Sequence, residues 1–73
     1  MIHNRKLIKY YKNYSIMQEM NYKNEGTFFS IVEGKHDEKI LNSINIKYTY
    51  FETIEEAEKF IDEILKEEQQ WFN

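Results

Sequence analysis

The chain has 73 residues, no cysteine, no proline and a formal charge of −3 from ten cations and thirteen acids. At this length it holds one domain that buries only about 60% of its unfolded surface, and without thiols neither a disulfide nor a thiolate metal site can reinforce it. Its opening, MIHNRKLIKYY, lacks the apolar run of a secretory leader, and no window approaches the roughly 18 apolar residues of a membrane span, so a soluble cytoplasmic domain without membrane contact is expected.

Residues 1–4 read as a loose terminus. Residues 5–14 fit two elements. As a helix they gather Leu7, Tyr10, Tyr11 and Tyr14 on one side and Arg5, Lys6, Lys9 and Lys12 around the other. As a strand they alternate Ile8, Tyr10, Lys12 and Tyr14 with Leu7, Lys9, Tyr11 and Asn13. The tyrosines favour strand from Tyr10 onward. Residues 13–22 read as a strand with Tyr14, Ile16, Met20 and Tyr22 on one face and Gln18 interrupting it. Residues 23–26, KNEG, are a turn signal, and residues 27–33, TFFSIVE, are the next strand, so the two form a hairpin. A four-residue loop places Phe29 and Ile31 on the face of Met20; a three-residue loop with a bulge places Phe28 and Val32 there.

Residues 35–45 fit either a short helical turn capped by Asp37 and carrying Ile40, Leu41 and Ile44, or a compact loop over those three side chains. Residues 46–51, IKYTYF, alternate as a third strand. Residues 52–72 then form the least ambiguous element, an amphipathic helix. Thr53 with Glu56 makes a capping box, Glu56 reaching back to the Thr53 amide. Ile54, Ala57, Phe60, Ile61, Ile64, Leu65, Trp71 and Phe72 recur at helical spacing. Glu55–Lys59 and Asp62–Lys66 stand four apart as ion pairs. Such a helix is marginal alone and needs an apolar surface to cover it.

The expected fold class is therefore α+β: a three-stranded antiparallel meander packed on one long C-terminal helix, in the order β-β-β-α, with an extra N-terminal strand or helix and a short helical turn near 37–44. This order, and the run YFETIEEA that leads into the helix, resembles many small accessory and phage-type proteins in shape. Abundant isoleucine, asparagine, lysine and tyrosine, with Arg5 as the one arginine, is the bias of AT-rich coding sequence, which suits a low-GC bacterium or its mobile elements.

No pattern of reactive groups stands out. His3 and His36 are the only histidines, and His36-Asp37-Glu38 lacks the ligand spacing of a zinc or calcium site. Ser15, Ser30 and Ser43 sit in no nucleophile elbow, and Gly26 and Gly34 are isolated, so no phosphate-cradling loop exists. The paired carboxylates of the helix lie on its polar side, where little shifts their pKa. A non-enzyme without cofactor or metal is expected.

Two functional readings remain. Residues 1–25 carry five cations and two acids, net +3, whereas residues 26–73 carry five cations and eleven acids, net −6. Aromatic residues make up 16% of the chain, more than one helix stripe and one sheet face readily bury, and aromatics are enriched at interface cores. The first reading is a protein-interaction module, self-associating or bound to a partner, through Glu55, Glu58, Asp62, Glu63 and Glu67 on the acidic helix together with Phe28, Tyr48 and Tyr50 on the sheet. In its sharpest form the acids imitate a phosphate backbone and occupy a basic, nucleic-acid-binding partner. Some small anti-restriction and anti-CRISPR inhibitors use that device, and the chain resembles them in size and acidity only. The second reading is single-stranded nucleic-acid binding, with Arg5, Lys6, Lys9 and Lys12 on phosphates and Tyr10, Tyr11 and Tyr14 stacked on bases.

Overall fold

A computed structural model describes residues 4–20, 28–44 and 50–71. Five elements follow in order: β1 (Arg5–Tyr11), β2 (Tyr14–Glu19), β3 (Phe28–Glu33), α1 (Glu38–Leu41) and α2 (Ile54–Trp71). The three strands form one antiparallel sheet with β2 in the centre. The fold is α+β, a meander followed by the long helix. Of the ambiguous residues 5–14, Arg5–Tyr11 are strand and supply the sheet's first member, while Lys12 and Asn13 form a turn and Tyr14 opens the second. The expected strand at 46–51 falls largely outside the described residues; of it, Phe51 makes an isolated antiparallel bridge with Phe29. The expected turn at 23–26 also lies outside the described residues.

β1 and β2 are not one run but two strands joined at Lys12-Asn13, whose φ angles are +46° and +66°. Both central residues are left-handed, the geometry whose twist matches a two-residue hairpin. Tyr11 then pairs with Tyr14. Farther along, the register shifts by one residue at Ile8, so Leu7 faces Met17 while Lys9 faces Ile16. A bulge of this kind bends an edge strand and restores the inward set beyond it.

Opposed residues share a sheet face. Ile16 faces Ile31 and Gln18 faces Phe29, which is the face assignment expected from the four-residue loop. That face carries Tyr14, Ile16 and Ile31 and receives Ala57 and Ile61 of α2, with Phe51 alongside and Tyr11, Phe29, Ile64 and Leu65 at its margins. Ile61 is fully buried. Trimming such a side chain to alanine costs about 2–5 kcal/mol, a large share of the total of about 4–11 kcal/mol for a domain this size.

The opposite face is also covered. Met17 on β2 and Leu41 on α1 are both fully buried there, with Ser15 and Ser30. The cover is residues 34–44. Gly34 turns the chain out of β3 at φ +98°, where a Cβ would sit 2.7 Å from His36 Nε2. The Gly34 carbonyl accepts from Ser15 Oγ at 2.6 Å, and Ser15 Oγ accepts from the His36 amide at 3.1 Å. Asp37 then caps α1 by accepting from the Ile40 amide. The short helical turn is the alternative that forms, and it points Leu41 inward and Ile40 outward.

α2 starts as its sequence requires. Thr53 Oγ1 accepts from the Glu56 amide at 3.1 Å. The reciprocal bond differs from expectation: Glu56 reaches the amide of Glu52 at 3.2 Å, one residue before Thr53. Both satisfy first-turn or pre-turn donors. Asp62 also departs from the helical pairing expected with Lys66 and bonds Lys12, in the turn between β1 and β2, instead.

Candidate functional site

Arg5 begins β1 and points to the face covered by α1. It is 4% exposed. Its Nε donates to Glu19 Oε2 at 2.7 Å, its Nη1 donates to the Leu41 carbonyl at 2.7 Å and also to the Ile44 carbonyl. Glu19 Oε2 also accepts from Ser30 Oγ at 2.8 Å. The planar guanidinium with its fixed fork thus ties β1, β2 and the α1 segment together. Arg5 and Tyr14, both expected on a nucleic-acid surface, are buried instead, Arg5 in this network and Tyr14 in the α2 core. Burial pushes the Tyr14 phenol above its ordinary value, with Glu33 and Glu68 adding to the rise.

Two of the three remaining basic residues of that set, Lys9 and Lys12, meet α2. Lys9 donates to Glu58 Oε2 at 2.6 Å, and Lys12 donates to Asp62 Oδ1 at 2.7 Å. The Tyr11 hydroxyl donates to the same Asp62 carboxylate at 3.1 Å. The two ammonium groups stand 5.6 and 5.3 Å from the Tyr11 ring centre, within cation–π reach. The hydrogen bonds to the two carboxylates hold both lysines above their ordinary value. The Lys12 ammonium, and then the Tyr11 hydroxyl, hold Asp62 below the ordinary aspartate value. Of the expected nucleic-acid set, Lys6 and Tyr10 are exposed without an acidic side chain bonded to them among the described contacts; Tyr10 donates to the His36 carbonyl.

The acids of α2 divide accordingly. Glu58 and Asp62 belong to the contact with β1. Glu55, Glu63 and Glu67 point outward, flanked by Glu56 and Glu68. From Glu55 to Glu68 these five exposed carboxylates span about 20 Å of helix axis, one per roughly 4 Å. A single strand of duplex DNA carries one charge per about 3.4 Å. Lys59 and Lys66, also exposed, lower the net density to about half that of a strand.

The aromatic residues of the expected site lie elsewhere. Phe28 and Tyr50 are 38% and 56% exposed, with ring centres 5.8 Å apart. Phe28 alternates with Phe29 along β3, so this pair sits on the face opposite α2. Tyr48 is outside the described residues. On the α2 side, Phe60 is 41% exposed while its ring packs 5.2 Å from that of Phe51. The residues expected to form one protein-binding site therefore form two surfaces, an acidic one on α2 and an aromatic one behind the sheet.

Among the described residues no helix is long and apolar enough to cross a membrane. The chain matches no protein-family model, no curated protein and no solved structure.

Proposed function

We propose that the protein is a non-enzymatic interaction module whose outward α2 face docks on a basic surface of a partner protein, one that ordinarily holds nucleic acid. The observation that carries this reading is the division of the α2 acids. Glu58 and Asp62 are anchored to Lys9 and Lys12, whereas Glu55, Glu63 and Glu67 face solvent along one side of a capped helix. A helix held rigidly on a sheet presents such charges without further ordering cost, which favours binding. The density of about half a DNA strand suits competition for a basic patch rather than full replacement of a duplex. Anti-restriction and anti-CRISPR inhibitors from phages and mobile elements are the kind of protein this reading implies, with action in the cytoplasm.

The protein-partner reading is favoured over direct nucleic-acid binding. Arg5 is enclosed, and Lys9 and Lys12 already answer carboxylates of the same chain. Phosphate contacts by those lysines would have to displace the α2 acids. The Phe28–Tyr50 pair offers a second contact on the far side, for the same assembly or for a second copy.

The test is capture by the immobilised protein from a bacterial lysate, followed by elution with duplex DNA. The expected result is a retained basic protein that binds nucleic acid and is released by the duplex as well as by salt. Retention of nucleic acid itself, or of nothing, contradicts the reading.

A further inference from the structure

Among the described residues β1 lies at the edge of the sheet. An edge strand offers its outward N–H and C=O groups to any other strand that arrives. Here the outward amide and carbonyl of Arg5 and the outward amide of Leu7 are already occupied, by side chains rather than by a strand. The Asn42 carboxamide accepts from the Arg5 amide at 2.6 Å and donates to the Arg5 carbonyl at 3.0 Å. Those are the two bonds that a residue of a neighbouring antiparallel strand would exchange with Arg5. The Glu38 carboxylate accepts from the Leu7 amide at 3.1 Å. Both side chains come from α1 and its C-cap, a single turn fastened by buried Leu41. Beyond Leu7 the register shift at Ile8 breaks the flat edge, and a bulge makes a poor template for pairing. The covered stretch is the regular run of β1 that precedes the bulge.

We propose that α1 with Asn42 is an edge guard that keeps β1 from pairing with β1 of a second copy. A second copy fits because one strand paired antiparallel with itself about a two-fold axis satisfies both edges at once. The same turn that buries Leu41 against the sheet also sets Glu38 and Asn42 against these particular backbone groups.

The test is sedimentation of the Glu38→Ala/Asn42→Ala double variant against the unaltered protein over a range of concentrations, with circular dichroism to establish that it is folded. The expected result is a rise in mass with concentration, toward roughly a doubling relative to the parent. A folded double variant with the parent's mass at every concentration overturns the proposal. Should the double variant unfold, Glu38→Ala alone, which alters an exposed side chain, reads the same shift in part. Hydrogen exchange on the unaltered protein gives an independent reading. The Arg5 and Leu7 amides should be protected like inward-facing amides of β1, and exchange at the rate of open loop amides overturns the guard.

Discussion

Arg5 reaches acceptors in two distant parts of the chain, a carboxylate on β2 and two carbonyls at the end of α1. Lysine at this position keeps the charge but lacks the planar fork. Arg5→Lys is therefore expected to lose the carbonyl bonds and to lower stability by about 2–3 kcal/mol, the value of hydrogen bonds to a charged group in a buried site. Lys6→Ala, on an exposed neighbour, should stay within about 0.5 kcal/mol. Denaturant midpoints compare the two, and equal midpoints would contradict the role assigned to Arg5. A hint of that role lies in composition: one arginine among ten cations marks the place where lysine does not suffice. Charge counting instead grouped Arg5 with the surface lysines, because sequence gives sign but not burial.

At the scale of elements, the long helix was legible because its signals are local: a capping box, an apolar stripe and an acidic first turn. The first hairpin was not. Its turn is Lys12-Asn13 inside YYKNY, with no glycine to mark positive φ, so the tyrosine alternation reads straight through it. Asn13→Val is expected to cost about 1–2 kcal/mol, the penalty for a left-handed L-residue that asparagine partly escapes, while Asn13→Gly should be tolerated. Thermal melting distinguishes them; a valine variant as stable as the parent would rule out the left-handed turn. The α2 contact carries a pH dependence. Tyr14 is raised from 10.0, so its neutral form is favoured in the folded state, and that stability is full below pH 10 and is lost as pH rises past it. Lys9 and Lys12, raised from 10.5, lose their share in the same direction. Asp62, lowered from 3.8, contributes above that value and loses its contribution as pH falls below it. Melting temperature should be flat between these limits and fall outside them. Tyr14→Phe should retain more stability than the parent above pH 10, and identical alkaline curves would contradict the assignment.

For the whole molecule, the sheet is covered twice, by α2 on one face and by residues 34–44 on the other. The first cover could be read from the apolar stripe of the helix. The second depends on Arg5, Ser15 and Ser30 meeting partners far along the chain, which no local pattern announces. The same long-range pairing explains why the expected binding residues separate into an acidic surface and an aromatic one. Among the described residues the outward acids of α2 hold no partner on β1, and that availability is the core of the proposed function. Its most direct test is the triple charge reversal Glu55→Lys/Glu63→Lys/Glu67→Lys, made on a face where these side chains hold no hydrogen bond or ion pair among the described residues. The variant should keep the parent's circular dichroism and lose capture of the basic partner. A folded triple variant that captures the partner as well as the parent does would contradict the acidic-face mechanism.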